Sequence, residues 1–364
     1  MLYAQPFRPE KKKVFFSAGA AFYRGKIRII HLGVHVIFLT IDLIFPFHWD
    51  KIKRSENLLE GEKHMMESIW TQNIKMPEFP KPEGDIKTDV LIVGGGMCGI
   101  LCAYFLSWAG VDSCVVEAGK IGRGITENTT AKITALQGFT YHTLIEKFGR
   151  EKAQMYLESC LLAVERYGYL GEIIDCDFAW KPAYSYTLTD RRRAEEEVRA
   201  IRCLGGAAEF TEHTQLPFGV VGAVKMQRQA QFHPLKFLAG ISKGLRIYEN
   251  TRIQNISGNK AVYSHGTFTA EKIIVATHFP FIDRFGGYFL KMYQDRSYVI
   301  GLKNAPKLDG MYIDGDGNGL SFRSQGDILL LGGGAHRTGK KGEGWEEIRK
   351  YAEHYFPSAK EQYA

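Results

Sequence analysis

The eleven residues Asp89–Gly99, DVLIVGGGMCG, constrain this chain more tightly than any other stretch. Asp89 to Val93 reads as a strand whose apolar run is buried on both faces. A helix is expected from about Met97 to Ala109, with Gly110 as its C-terminal cap, and Asp112 to Glu117 forms the next strand. Between strand and helix, Gly94, Gly96 and Gly99 make G-x-G-x-x-G. Gly94 permits the tight turn, Gly96 lets a pyrophosphate approach the backbone, and Gly99 lets helix and strand pack closely. The helix N-terminus then offers unpaired N–H groups and a partial positive charge to phosphates. Glu117 ends the second strand 18 residues after Gly99, where a carboxylate can accept hydrogen bonds from ribose hydroxyls. This order of strand, glycine loop, helix, strand and acid predicts a dinucleotide site rather than a merely structural turn. Cys98 and Cys102 share a face of the helix and read as core thiols.

Residues 129–175 carry helical periodicity, FAWKPAYSYTLTD is strand-like, and DRRRAEEEVRAIRCLGG reads as an exposed charged helix ended by Gly205. The mixed charges of that run predict a solvated face. Strands are expected around Val220 to Met226, a helix from about Pro234 to Lys243, and a dense β region from Arg246 to Thr277. Further strands at Arg296–Leu302, Met311–Asp314, Leu320–Arg323 and Ile328–Gly333 precede a terminal helix over about Gly344–Tyr355. Together these predict a nucleotide domain into which an antiparallel sheet domain is inserted.

The 364 residues carry a formal net charge of +7, but Met1 to His64 hold 11 Lys and Arg against 6 Asp and Glu. The basic balance therefore belongs to the N-terminal extension and gives no reason to invoke nucleic acid. Six cysteines occur without a CxxC pair or zinc-like spacing, so no metal is expected and a cytoplasmic setting is the default. Ile29 to Phe47 is a 19-residue apolar run, close to a membrane span in length, yet His31, His35, Asp42 and Pro46 interrupt it. The extension is read as non-native or dispensable, with a membrane anchor as the alternative and Met65 or Met66 as an alternative start.

After Glu117 the chain continues AGKIGRGITENTTAKITALQG, a loop able to wrap an extended cofactor, with Thr129 and Thr130 offering hydroxyls at a helix start. Later, AEKIIVATHFP supplies an apolar strand ending in Ala276, Thr277 and His278. With DVLIVGGGMCGILCAYFLSWAGVDSCVVEAGKIGRG and GDILLLGGGAHRTGK, the sequence resembles the D-amino-acid oxidase-type FAD-dependent oxidoreductases, which include glycine and sarcosine oxidases. The likeness covers about Met66 to Tyr363. More narrowly, the sequence is similar to the branch whose members often carry a C-terminal Rieske iron–sulfur domain. No C-x-H with a following C-x-x-H occurs here. The family's chain returns after its substrate sheet to close over the flavin with a last glycine-rich loop and helix. No glycine motif follows Gly344, so the chain is expected to be truncated.

The resemblance implies an α/β fold, with a Rossmann-like FAD-binding domain and an inserted antiparallel β-sheet substrate domain (α+β). The expected division is an extension over 1–64, a lead segment over 65–87, the FAD-binding domain over 88–175 and 219–285, and the substrate domain over 176–218 and 286–340. Residues 341–364 would be a terminal helix and a truncated return to the FAD domain. FAD is the implied cofactor, held by Gly94, Gly95, Gly96, Met97, Cys98 and Gly99, then by Glu117, Ala118, Gly124, Thr129, Thr130 and Ala131, and later by Ile253, Ala276 and Thr277.

The implied reaction is oxidation of a C–N bond of an amino acid or other small-molecule amine, by hydride transfer to flavin. Oxygen, or an iron–sulfur or quinone partner, would take the electrons. The alternatives are a non-catalytic dinucleotide-binding remnant and a membrane-associated flavin dehydrogenase. A substrate carboxylate wants a guanidinium. By the resemblance Arg323 is the first candidate, with Arg296 and Tyr298 second and His278 near the flavin ring. For each arginine a salt bridge is the competing role. His233, directly before Pro234, reads as a helix-entry residue. His336 and Arg337 follow a triple glycine that reads as a close backbone approach.

Overall fold

The structure, a computed structural model, describes residues 67–282, 287–317 and 319–364, and the apolar run 29–47 lies outside them. Strand β1 (Ile86–Val93) alternates two apolar faces, and both are covered. Val90 and Ile92 pack with helix α1 (Met97–Trp108) and helix α5 (Pro234–Ile241), while Leu91 and Val93 pack with Ile253, Tyr263 and Phe268. Around β1 a six-stranded sheet forms in the order β7 (Ile247–Tyr248), β2 (Ser113–Val116), β1, β10 (Gly266–Val275), β9 (Lys260–Tyr263), β8 (Asn255–Ser257). The first four strands are parallel and the last two turn back antiparallel, and four of the six fall in the dense β region expected over Arg246–Thr277.

The second sheet has nine strands. It runs β15 (Lys360–Tyr363), β11 (Asp295–Lys303), β14 (Ile328–Arg337), β13 (Ser321–Gln325), β12 (Met311–Asp314), β4 (Ala179–Thr187), β6 (Gly222–Gln231), β3 (Lys132–Ile133), with β5 (Glu209–Thr211) also on β6. It is antiparallel except where β12 lies parallel to β4. The helical reading of 129–175 holds from Tyr141 onward, as α2 (Tyr141–Phe148) and α3 (Arg150–Ile173), whereas Lys132–Ile133 is an edge strand.

Two expected boundaries move. Strand β6 falls within the 219–285 segment assigned to the first domain, but it pairs with β4 from Thr187↔Gly222 to Ala179↔Gln231, so its hydrogen bonds place it in the second sheet. Nor does 341–364 return to the first sheet. Helix α7 (Trp345–Tyr355) packs on β14 and β11, β15 extends the β11 edge, and Arg349 pairs with Glu361 at 2.9 Å.

The charged helix α4 (Arg191–Cys203) is also not solvated throughout. Glu197 is fully buried and accepts the N–H groups of Thr140, Tyr141 and His142 at 2.8, 2.7 and 2.9 Å. It thereby caps α2, whose N-cap residue Thr140 makes no side-chain capping bond, its hydroxyl donating instead to the Gln137 carbonyl at 2.6 Å. Burial pushes its carboxyl pKa upward, against the pull of those three donors.

His233 takes the helix-entry position expected of it: its Nδ1 accepts the Lys236 N–H at 3.2 Å and its ring meets Trp70 edge-on at 5.0 Å. Burial lowers its pKa to about 4. The unfolded chain therefore binds a proton that the folded chain refuses, and stability present above about pH 6.5 is lost as pH falls toward 4. The expected loss is about 3 kcal/mol across that window. His233→Asn keeps a capping acceptor but cannot titrate, so its melting temperature should fall less between pH 7 and pH 4 than that of the parent. An equal fall would rule His233 out as the cause.

Among the described residues no helix is long and apolar enough to cross a membrane.

Candidate functional site: a glycine cradle and a cavity on the second sheet

The glycine loop is built by contact. A Cβ on Gly94, whose φ is +114°, would lie 2.5 Å from the Ala276 carbonyl oxygen, and one on Gly99 would lie 1.9 Å from that of Gly94. Gly95 packs against Glu117 and Ile121. Gly96 differs, because its Cβ would meet Thr126 Oγ1 at 3.5 Å and nothing closer. The space before Gly96 is therefore an open cradle at the head of α1. Gly96 caps α1 without a side-chain bond, and Thr126 Oγ1 accepts only the Met97 N–H, at 3.2 Å. The Cys98 and Gly99 N–H groups are left to an outside acceptor such as a pyrophosphate. Cys98 and Cys102, one turn apart on α1, are both half-buried free thiols.

Glu117 is aimed by the same loops. Its two oxygens accept the Gly95 N–H at 2.7 Å and the Gly119 N–H at 2.9 Å. A carboxylate has about four acceptor sites, so two remain for ribose hydroxyls. Glu117→Ala should weaken dinucleotide binding about 10- to 100-fold, the effect of losing charge-assisted bonds of roughly 1.5–3 kcal/mol. Titration with FAD would measure it, and unchanged affinity would remove Glu117 from the site. Beside it, fully buried Glu249 accepts the Ile121 N–H and the Phe79 N–H and pairs with Lys120 at 2.8 Å, tying the lead segment to the loop after Glu117.

Further along, side chains from outside hold the 127–131 backbone. Ser68 Oγ donates to the Glu127 carbonyl, Trp70 Nε1 to that of Thr129 at 2.7 Å, and Arg323 Nη1 to those of Thr130 and Ala131 at 3.0 and 2.8 Å. Ala131, at φ +52°, needs that support. The guanidinium of Arg323 also lies over the Trp70 ring at 5.3 Å and donates to Gln325. The lead segment is thus part of the site's scaffold.

This loop opens on a cavity of about 800 Å³ lined by the second sheet, the 125–138 segment and His278. Thr129, Thr130 and Lys132 line one side, Tyr184, Tyr312 and Asp314 the floor, and His278, Arg296 and Tyr298 the rim. Of the substrate-side candidates, Arg296, Tyr298 and His278 are therefore together. Arg323 is not with them. It is completely buried outside the cavity lining, where β13 carries it beneath the 130–131 backbone, and desolvation lowers its pKa to about 9. Tyr298 Oη and His336 Nε2 lie 3.0 Å apart, and Gly344 sits against the Tyr298 ring.

Among the cofactor candidates, Ala118 and Gly124 are exposed on the loop, while the Ile253 side chain is core and leaves only its backbone available. Ala276 and Thr277 follow β10 directly, beside Gly94. Lys132, Thr126 and Glu249 were not singled out by the sequence. The lone basic residue of NTTAKIT and the acid ending IYE were their only signals. No group of three or more metal-ligating side chains occurs among the described residues.

Residues 89–363 match the family described as FAD dependent oxidoreductase (DAO). The chain belongs to this family. Its cofactor is FAD, and the open Gly96 cradle, the free N–H groups of α1 and the aimed Glu117 fit that group. The chain is 33% identical over 314 residues to the Rieske 2Fe-2S iron–sulfur protein YhfW of Bacillus subtilis (strain 168), covering 80% of this chain and 61% of that one. It is 26% identical over 227 residues to gamma-glutamylputrescine oxidoreductase of Escherichia coli (strain K12), covering 56% and 51%. The chain thus spans between half and two thirds of these relatives. Glycine oxidase from Geobacillus kaustophilus shares the fold, with a TM-score of 0.54 and 19% identity over 75% of this chain and 79% of that one. L-proline dehydrogenase from P. horikoshii does likewise, with 0.56 and 16% over 75% and 78%.

Proposed function

We propose that this FAD-dependent oxidoreductase oxidises a C–N bond of an amino acid or other amine by hydride transfer to the flavin. The observation that carries the reading is the placement of the cavity, continuous with the Thr129–Thr130 end of the cofactor loop and rimmed by Arg296, Tyr298 and His278. FAD, when bound, supplies the two-electron acceptor for the C–H bond being broken. The residues of the chain have the tasks of holding and orienting the amine and keeping water out. Arg296, exposed at the rim, is placed to hold a carboxylate in bidentate fashion. Tyr298 is steadied by the His336 ring, stacked at 5.8 Å, and by Trp345, edge-on at 4.9 Å, so its hydroxyl is a fixed hydrogen-bonding point. Arg323, with Trp70 and Ser68, positions the loop from behind.

The test is the visible absorption spectrum of the purified chain with and without added FAD, followed by anaerobic bleaching with glycine, sarcosine, proline and putrescine. Stoichiometric flavin bands that one of these amines bleaches are expected. A colourless protein that ignores FAD would favour a non-catalytic remnant instead. The YhfW relationship supports an iron–sulfur acceptor over oxygen. Reduced flavin that survives air but is reoxidised by ferricenium would bear that out, and rapid reoxidation by air would oppose it.

A further inference from the structure

Lys132 has no task in the scheme above. It sits on β3, two residues beyond Thr130, with its side chain in the cavity wall. The β6 residue opposite it is the neutral Gln231, and the charge that β13 sends toward it is the buried guanidinium of Arg323. The acids of the cavity are engaged or distant in character: Asp314 accepts the Asp316 N–H at 2.9 Å, and Asp295 is exposed at the rim. Tyr184, Tyr298, Tyr312, His278 and Arg296 complete the titratable and charged groups around the space. Among the described residues no carboxylate offsets the charge of a protonated Lys132. Burial, and then Arg323, bring its pKa down to about 7.

We propose that Lys132 is the proton acceptor of this site, taking a proton from the ammonium group of an incoming amine before its C–N bond is oxidised. The inference rests on the amine reading of the cavity. In water an alkyl ammonium, like an ordinary lysine, holds its proton up to about pH 10. Such a nitrogen has no lone pair to stabilise the carbon as hydride leaves. Transfer to the neutral Lys132 amine gives a free substrate amine and a Lys132 ammonium. Bound FAD would supply the acceptor for the α C–H hydride, and the lone pair freed by Lys132 would form the second C–N bond of the iminium product. The guanidiniums of Arg323 behind the wall and Arg296 at the rim likewise lower the affinity of the substrate ammonium for its proton, which brings the two groups nearer balance. A lysine in solvent would arrive already protonated and could do none of this.

The direct test is pulsed reductive methylation with formaldehyde and cyanoborohydride from pH 5.5 to 10.5, with peptide mapping of Lys132 in the FAD-loaded protein. A labelling midpoint near 7 is expected, and a midpoint near 10 would overturn the proposal whatever the enzyme oxidises. The second test is the pH dependence of anaerobic flavin bleaching by whichever amine proves active. The parent rate should rise to about pH 7 and level off. Lys132→Gln should be about 100-fold slower at pH 7.5 and still climbing toward pH 10. Lys132→Arg should behave like the glutamine variant, because it keeps the charge but cannot accept a proton. A parent-like profile in Lys132→Arg would reduce Lys132 to a fixed charge. Failure of every amine to bleach the flavin would instead remove the amine reading itself, a result separable from the labelling midpoint.

Discussion

Gly99→Ala is expected to leave the protein unable to retain FAD, and Gly96→Ala to do the same for a different reason. At Gly99 the new methyl would lie 1.9 Å from the Gly94 carbonyl oxygen, a backbone atom, with Ile92 Cγ2 at 3.3 Å behind it. Helix α1 must then move off β1. Overpacking of this kind costs about 3 kcal/mol or more, so the apo-protein should melt at a lower temperature as well as bind FAD at least about 100-fold more weakly. At Gly96 the methyl has an ordinary neighbour at 3.5 Å, and φ is −79°, which alanine adopts without strain. The apo-protein should therefore melt as the parent does while the cradle is filled. Equal melting temperatures for the parent and Gly99→Ala would contradict the close helix–strand approach. Parent-like FAD affinity in Gly96→Ala would contradict the placement of the pyrophosphate.

Glu197→Ala is expected to produce the largest loss of stability away from the cofactor. Three backbone N–H groups at the start of α2 would lose a buried, charge-assisted acceptor, and the neighbouring cluster of Leu136, Tyr141, Leu157 and Val198 would enclose the gap. The sum is about 3–4 kcal/mol, after allowance for the desolvation of the carboxylate that alanine relieves. Glu195→Ala on the same helix, which removes a surface pair with Arg191, should cost less than about 0.5 kcal/mol. Urea unfolding of both variants measures the difference. A Glu197→Ala loss no larger than that of Glu195→Ala would mean that α2 holds its N-terminus by other means.

The contrast between these glutamates explains what the chain disclosed beforehand. The β1–α1–β2 unit was legible because its rules are local: a run of apolar residues, three glycines at fixed spacing, and an acid at the end of the next strand. Arg296 and Tyr298, offered as second-choice carboxylate ligands, and His278, offered from its place after a strand, all line one cavity. Glu197 was not legible, because its neighbours Arg191 to Arg193 and Glu195 to Glu196 mark an ordinary solvated helix, and the amides it caps lie 55 to 57 residues earlier. Arg323 was misplaced for a similar reason. Nothing in SFRSQ states that Trp70 and the 130–131 carbonyls will close around the guanidinium. Lys132 was overlooked because a lysine in a threonine-rich loop looks solvated until the second sheet is built beside it. The assignment of β6 to the wrong sheet has the same origin, since partners that decide a strand's sheet are not neighbours in sequence.

The central pairing of the first sheet has a temporal consequence. Ile86 lies beside Phe268 and Val93 beside Val275, so two strands about 180 residues apart must meet before the sheet is complete. Between them the chain makes α2, α3, α4 and the β4–β6 ladder, which share their own core. Closing so long a loop carries an entropic penalty that is offset only once the partner strand has been made. During synthesis the glycine turn must wait, with Gly94 lacking the Ala276 carbonyl against which it is shaped. In refolding followed by pulsed hydrogen exchange, the amides of β1 should gain protection after those of β4 and β6. Protection in the reverse order would show that β1 and α1 form a stable nucleus alone. An early-made segment is thus expected to be shaped late, and its affinity for a cofactor to appear only when the far half of the molecule has arrived.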